Sequence, residues 1–187
     1  PKVVQRLIQA AEQHQIPYQM GASGRASPTD ANSIQINKAG VATGLVSIPN
    51  RYMHSPVEMI SLEDIDRAAD LLAPIDRLHW QRLLTSPWMA TDGTGLKVLV
   101  SGLPAAHDGY LELYRNTECA VFQYAPDKAG EGVVSKLKTF KGTITADAEH
   151  RFNAVYATGN VIEAGCNAHG RRKFRDAEDT QPVLAVE

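Results

Sequence analysis

A helical pattern that ends at a proline divides this sequence into two segments with different periodicities. Ser61 is a favourable N-cap, and Asp64 three residues later completes a capping box with it. Pro74 lacks an amide hydrogen and its ring clashes with the preceding turn, so we predict that the helix stops there and that a second helix covers 75–84. The first helix has one apolar face at helical spacing: Leu62, Ile65, Ala69 and Leu72.

The size and composition of the chain exclude several classes of protein. It has 187 residues, enough for one ordinary domain or two small ones, and a formal net charge of −2. That charge gives no global attraction to nucleic acid, so a DNA contact requires a local basic patch. No apolar run approaches the roughly 20 residues of a membrane helix, and two cysteines are too few for a disulfide scaffold. We therefore expect a cytoplasmic protein with no membrane partner.

The first segment has the pattern of a partial α/β layer. Apolar residues at helical spacing predict a helix over 2–15, and a capped helix follows over 31–38. An apolar, β-branched run predicts a buried strand over 41–49, with shorter extended pieces at 16–20 and 57–60. Alternation of helices and strands is typical of an α/β fold.

His54 is the residue of this segment whose position suggests chemistry. It lies in a loop just after the predicted buried strand, where α/β proteins often place functional groups. A loop histidine that only bonds to its neighbours explains the pattern equally well, because no second metal ligand stands near it in the sequence. The spacing alone leaves both interpretations open.

The runs around His54 carry a family resemblance. They are residues 16–19 (IPYQ), 29–31 (TDA), 40–43 (GVAT) and 47–58 (SIPNRYMHSPVE). These runs resemble the C-terminal third of the dinuclear-metal aminopeptidases of metallopeptidase family forty-two, the glutamyl-aminopeptidase-like enzymes. The resemblance implies that His54 binds one of two catalytic metals, zinc or cobalt, in an enzyme whose substrate is a peptide.

Two departures from that family limit what the resemblance implies. Ser27-Pro28 stands where the family has two glycines, which removes backbone freedom from the loop. The family's other metal ligands and its catalytic glutamate belong to chain upstream of Pro1. One ligand cannot hold two metals or activate a water, so we expect no working peptidase. A partial peptidase also leaves apolar surface uncovered, so we expect possible self-association.

The second segment has the order three strands, helix, strand, helix, strand, helix. Strands at 88–92 and 96–100 flank Gly93-Thr94-Gly95, which predicts a bulge or kink in one long strand. The other predicted elements are strands at 109–115, 120–124, 143–146 and 161–166, and helices at 132–140, at 152–157 and from His169 onward. This order predicts a ribonuclease-H-like mixed sheet with helices, an α/β fold.

Two aspartates take matching places in such a sheet. A carboxylate on its first strand lies beside one at the end of its fourth, and Asp92 and Asp147 occupy these places. Neighbouring carboxylates repel each other, and divalent cations relieve that repulsion in two-metal phosphoryl-transfer sites. The pattern alone equally allows Asp92 to be a turn residue and Asp147 to be a helix cap.

The runs around both aspartates carry a second resemblance. They are residues 91–99 (TDGTGLKVL), 109–115 (GYLELYR), 142–147 (GTITAD) and 165–174 (GCNAHGRRKF). These runs look like the catalytic core of insertion-sequence-sixty-six-type transposases, which cut and join DNA with an Asp-Asp-Glu triad and magnesium. The resemblance implies that Asp92 is the first catalytic carboxylate, that Asp147 is the second, and that transposon-end DNA is the partner.

The chain departs from the transposase pattern in its acidic residues. Gly93 follows Asp92 where most relatives carry a glutamate, and the third carboxylate of the family lies downstream of Glu187. Glu178 is acidic and in a helical stretch, but the family's third carboxylate follows a further insertion. Because such groups act as a unit, two of three carboxylates predict metal affinity and catalysis lower by orders of magnitude.

Two further clusters in the second segment suggest ligands. Cys166 and His169 indicate zinc only weakly, because no second pair of ligands accompanies them. A dense basic cluster either forms a solvated helix face or contacts DNA phosphates in a sequence-independent, salt-sensitive way. It consists of Arg171, Arg172, Lys173 and Arg175.

Three hypotheses of different classes follow. Residues 74–187 are a transposase fragment that processes DNA, residues 1–73 are a metalloaminopeptidase fragment, or the chain is a fusion that catalyses nothing. We favour a chimera in the bacterial cytoplasm, with the longer, transposase-like part giving its identity and with both catalytic sites incomplete.

Overall fold

The structure divides into two compact units, residues 1–75 and residues 76–187. This computed structural model describes residues 2–22, 24–100, 102, 104–178 and 180. The division falls inside a helix, α3, that spans Leu62–Leu84.

The first unit contains two helices and one small sheet before α3. Helix α1 spans Lys2–Gln13 and α2 spans Ala31–Gln35, while β1 (Asn50–Arg51) pairs antiparallel with β2 (Met59–Ile60). The predicted first helix is confirmed. The second helix ends before the predicted residue 38, because Lys38 has a φ of +53°, outside the right-handed helical region.

The strands predicted at 16–20 and 41–49 are wrong. Both runs lack regular secondary structure, and the side chains of Val41 and Leu45 are exposed. A strand is stable only when a neighbouring strand pairs with its backbone and an apolar layer covers it. Among the described residues no strand pairs with either run, so the apolar residues of 41–49 have no sheet to join.

Helix α3 continues through Pro74, so the predicted break there is wrong. Proline removes the hydrogen bond to the carbonyl of Asp70, and an interior proline disfavours a helix by about 3 kcal/mol. Tertiary packing outweighs this penalty: Leu83 is fully buried, and Trp80 and Leu84 pack against the same core.

The second unit is built on a five-stranded mixed sheet. Its order is β5-β4-β3-β6-β7, in which β3, β4 and β5 are antiparallel neighbours and β6 and β7 run parallel to β3. The predicted α/β fold is confirmed, with the strand order expected of a ribonuclease-H-like sheet. The strands are β3 (Trp88–Val98), β4 (His107–Arg115), β5 (Ala120–Ala125), β6 (Gly142–Ala146) and β7 (Val161–Gly165).

Strand β3 is one long strand without the predicted bulge. It pairs residue by residue with β4 from Ala90 opposite Arg115 to Val98 opposite His107. Gly93 keeps its place in this ladder, so the glycines of β3 do not mark an inserted residue.

The helices of the second unit follow the predicted order. They are α4 (Gly130–Leu137), a short 3-10 turn (His150–Phe152), α5 (Asn153–Tyr156) and α6 (Asn167–Asp176). No helix within the described ranges is long and apolar enough to cross a membrane.

The hydrophobic core of the second unit lies on one face of the sheet. Met89 of β3, Tyr114 of β4 and Ile144 of β6 are fully buried there, together with Val133 of α4. Burying such side chains contributes about 1.5–3 kcal/mol each. The alternate residues of β3, including Asp92, consequently face away from this core.

Candidate active site

Asp92 and Asp147 occupy equivalent positions on two neighbouring parallel strands. The last paired residues of β3 and β6 are Ala90 and Thr145, and each aspartate lies two residues beyond its member of that pair. Neighbouring strands lie about 4.8 Å apart, and residues in equivalent positions point to the same side of the sheet. The fold therefore brings the two carboxylates to the point where the pairing of β3 with β6 ends.

Each of these carboxylates is held by the backbone amide that follows it. Oδ1 of Asp92 accepts a hydrogen bond of 2.8 Å from the amide of Gly93, and Oδ1 of Asp147 accepts one of 3.0 Å from Ala148. Both aspartates are exposed to solvent. This hydrogen bond fixes Oδ1 of each aspartate and thereby sets the orientation of its Oδ2.

Both carboxylates line a single cavity of about 230 Å³. The same cavity is lined by residues with positive or titratable nitrogen atoms: Lys128, Arg151, His169 and Arg172. A site that combines carboxylates with cations suits a metal ion bridged to a phosphate. The remaining wall consists of Thr91, Gly93, Ala146, Glu149 and Phe152.

His169 is placed beside Asp147 by the start of α6. Its Nε2 lies 3.9 Å from Oδ2 of Asp147. Interaction with the Cys166 thiol, together with the negative charges of Asp147 and Asp92, raises the pKa of His169. Hydrogen bonding to the backbone and ring of His169 lowers the pKa of Cys166. Cys166 directly follows β7, which ends at Gly165, so the observed strand is one residue shorter than the strand predicted over 161–166.

A buried ionic network stands next to the cavity, and sequence reasoning missed it. Glu112 is 1% exposed and Arg151 is 5% exposed. Nη1 of Arg151 donates to Oε1 of Glu112 at 2.5 Å, and Nζ of Lys136 and Oη of Tyr114 donate to Oε2 at 2.7 and 3.0 Å. Charges at this depth persist only when they are paired and hydrogen-bonded.

Glu149 connects this network to the segment that carries Asp147. Nε of Arg151 lies 2.5 Å from its Oε2, as an ion pair without hydrogen-bond alignment, and Nζ of Lys128 donates to its Oε1 at 3.0 Å. Burial alone would raise the pKa of Glu149, but Lys128 and Arg151 lower it below its ordinary value.

The carboxylate pair fits a magnesium ion as a two-ligand site. Magnesium is usually bound through one or two carboxylates plus waters and substrate phosphates. Asp92 and Asp147 supply that number of hard oxygen ligands beside open cavity space. Within the described part of the chain, no group of three or more His, Cys, Asp or Glu residues is arranged to hold a metal. Cys166 and His169 form only a pair, so the weak indication of zinc there stays a prediction.

His54 lies in the first unit, in the loop between β1 and β2. It has a φ of +65°, and its backbone amide donates to Oε1 of Glu58 at 2.5 Å. Hydrogen bonds from the His54 backbone and from Asn50 lower the pKa of Glu58. The described residues place no set of further ligands around the His54 ring.

The basic cluster lies on α6, as predicted for a helix from His169 onward. Its four side chains are exposed, and no ion pair between described residues involves them. Arg172 reaches the wall of the carboxylate cavity. The cluster consists of Arg171, Arg172, Lys173 and Arg175.

Relatives of the first unit are aminopeptidases. The chain is 46% identical over 71 residues to the lysyl aminopeptidase of Pyrococcus furiosus, and 42% identical over 72 residues to a candidate aminopeptidase of Acetivibrio thermocellus. Each alignment covers 38% of this chain but only 20% and 22% of the relative. The chain thus spans about a fifth of the length of the curated relatives it matches.

Two families match different parts of the chain. Residues 1–71 match the M42 glutamyl aminopeptidase family, and residues 60–187, more than half of the chain, match the Transposase IS66 family. The two matches overlap over 60–71, which includes the first turns of α3. The predicted resemblance to two families is confirmed: the chain is a chimera that belongs, through residues 60–187, to the IS66 transposase family.

Proposed function

We propose that the second unit is the core of a metal-dependent DNA strand-processing site, which cuts and joins strands during transposition. The observation that supports this most strongly is that Asp92 and Asp147, in equivalent positions on adjacent strands, line one cavity with Lys128 and Arg172. Carboxylates recruit a divalent cation, and cations beside them attract a phosphate. The partner is DNA, and the cofactor is magnesium.

The residues of the site divide the work. Asp92 and Asp147 hold the metal, which when bound supplies charge neutralisation at the phosphate under attack by water or a 3′-hydroxyl. Lys128 and Arg172, which line the same cavity, orient that phosphate. The exposed basic face of α6 extends the contact along the backbone and makes affinity fall with salt.

We propose that residues 74–187 by themselves catalyse strand cleavage slowly. The two aspartates are the only members of the family's acidic triad that we assign, since Glu149 is occupied by Lys128 and Arg151. Groups that act as a unit lose orders of magnitude when one is absent. We accordingly propose weak DNA cleavage and tighter DNA binding.

The first unit contributes no peptidase activity of its own. His54 is the surviving metal ligand, for zinc or cobalt, of an aminopeptidase site whose peptide substrate requires the intact enzyme. Its exposed apolar side chains, such as Val41, Leu45 and Met59, favour self-association of a cytoplasmic protein.

Cleavage of DNA at high protein concentration tests the proposed function. With excess protein and Mn²⁺ or Mg²⁺, supercoiled plasmid is expected to be nicked slowly, and Asp92→Asn and Asp147→Asn should each remove the nicking. Asp108→Asn is the matched control, because Asp108 is an exposed strand carboxylate paired with Lys97 away from the cavity. Absence of nicking in the parent chain, or equal nicking in Asp92→Asn, refutes a catalytic role.

The same preparations test the first unit. Incubation with short peptides and cobalt or zinc should release no N-terminal amino acid. Release that disappears in His54→Ala would instead establish an aminopeptidase.

A further inference from the structure

Arg151 contacts the backbone segments that carry Asp92 and Asp147, although it is not one of the carboxylates of the site. It belongs to the 3-10 turn that begins three residues after Asp147. Its side chain is almost fully buried, and a buried arginine must find partners within the protein. Those partners show what the side chain holds together.

The first partner anchors Arg151 to the sheet. Glu112 of β4 accepts its Nη1 at 2.5 Å and is itself fixed by Lys136 and Tyr114. A carboxylate with three donors inside the core is a rigid support for the guanidinium. Through Glu112, strand β4 thereby fixes the position of the Arg151 side chain.

The second partner connects Arg151 to Asp147. Glu149, which contacts Nε of Arg151 at 2.5 Å, donates its own backbone amide to the carbonyl of Asp147 at 2.5 Å. The chain from 147 to 151 is therefore a tight loop closed by the guanidinium. A shift of Arg151 would move Glu149 and, through it, the backbone of Asp147.

The third contact connects Arg151 to Asp92. Nη2 would lie 3.3 Å from a Cβ added at Gly93, the residue whose amide holds the carboxylate of Asp92. The planar guanidinium thus packs against β3 directly behind Asp92. Only a residue with no side chain leaves this approach unhindered.

We propose that Arg151 is a positioning residue, which sets the separation of Asp92 and Asp147 through Gly93 and Glu149 and so sets the affinity of the pair for a divalent metal. The proposal rests on the proposed function for the identity of the metal site. Residues that orient metal ligands without touching the metal usually change affinity about 10- to 100-fold when they are replaced. A lysine keeps the charge but lacks the planar fork that reaches two carboxylates at once.

A metal-free measurement tests the positioning itself. Amide hydrogen exchange in the full chain is read at Gly93 and Ala148, whose amides bond to the two carboxylates. Arg151→Lys should speed exchange at both amides by about tenfold or more, and Glu149→Gln, which leaves the Arg151–Glu112 pair intact, should speed it at Ala148. Lys136→Met is the matched control, because it removes the other cation on Glu112 while Tyr114 and Arg151 still bind that carboxylate, and it touches neither Gly93 nor Glu149.

Binding of Mn²⁺ to the same variants tests the consequence for the metal. The parent chain should bind Mn²⁺ in a way that Asp147→Asn weakens. Arg151→Lys and Glu149→Gln should weaken binding about 10-fold or more, while Lys136→Met stays within about twofold of the parent. Thermal unfolding without metal, measured on every variant, separates a loss of positioning from a loss of fold.

The possible results distinguish the two proposals. Faster exchange in the Arg151 and Glu149 variants, in a parent that binds no Mn²⁺, supports the positioning role and refutes the metal site. Asp147-dependent Mn²⁺ binding that is unchanged in those variants refutes the positioning role and leaves the metal site standing. Equal effects of Lys136→Met and Glu149→Gln on exchange and affinity also refute it, because a general loosening of the core would then be sufficient.

Discussion

Replacement of Glu112 by glutamine is expected to destabilise the second unit severely. Glu112 and Arg151 are buried with side-chain exposures of 2% and 4%, whereas Lys136 is 23% exposed and can return to water. Breaking a buried ion pair from one side costs about 3–5 kcal/mol, because the remaining charge is left without compensation. Glutamine retains a carbonyl oxygen that accepts a hydrogen bond worth about 1 kcal/mol. We therefore expect a loss of about 2–4 kcal/mol, much of the 5–15 kcal/mol typical of a domain.

Urea unfolding followed by tryptophan fluorescence measures this loss. Both tryptophans, Trp80 and Trp88, belong to the second unit, and the Trp80 ring lies 5.1 Å from that of Tyr114, a partner of Glu112. The midpoint should fall while the slope stays unchanged. Glu118→Gln, at an exposed carboxylate in the turn after β4, should change stability by less than about 0.5 kcal/mol. A loss below about 1 kcal/mol for Glu112→Gln would refute the view that this network stabilises the fold.

Three further outcomes follow from local geometry. Gly142→Ala should destabilise the chain by about 1–3 kcal/mol in the same urea assay, because the added Cβ would lie 2.4 Å from the carbonyl oxygen of Pro87 and the residue has a φ of +154°. Gly165→Ala is the control and should have little effect, because a Cβ there would have no neighbour within 4 Å. Glu149 has a lowered folded-state pKa, so its contribution to stability is present above its unfolded pKa of about 4.3 and is lost as the pH falls through the folded value; Glu149→Gln should flatten this acid loss in a series of melting temperatures. Pro74→Ala should stabilise α3 by up to about 3 kcal/mol, read from the helical circular dichroism during unfolding.

The second unit was predictable because its strands pair with one another within the chain. The runs around Asp92 and Asp147 lie on strands that pair with each other and with β4 and β7 within the chain. Local pattern and tertiary context therefore agree, which is the condition under which sequence patterns indicate the fold correctly. The placement of both aspartates just beyond the pairing of β3 with β6 followed from the predicted strand order.

The first unit was less predictable because its apolar runs have no partner there. Residues 41–49 have the composition of a buried strand, yet they have no regular secondary structure, and no described strand pairs with them. Strand propensity mainly reports how well a side chain packs on a half-buried sheet, so it fails where no such sheet is formed. Pro74 shows the opposite case, since packing of Leu83 and Trp80 overrides a strong local signal for a break.

The buried ionic network shares the face of the sheet on which the apolar core lies, opposite to the face of Asp92. Hydrophobicity alone would bring Leu111 and Leu113 of β4 to the core, but the structure buries Glu112 and leaves Leu111 exposed. Cations from Arg151, 39 residues away, and from Lys136 make that burial possible, and no pattern local to β4 reveals them. The register of β3 and β4 relates the faces of the two strands, because Glu112 lies opposite Gly93 and Leu113 lies opposite Asp92. Because side chains alternate, burying Glu112 turns Gly93 towards Arg151 and directs Asp92 away from the core. The ionic network therefore acts together with the buried Met89 and Tyr114 to place the first carboxylate on the opposite face.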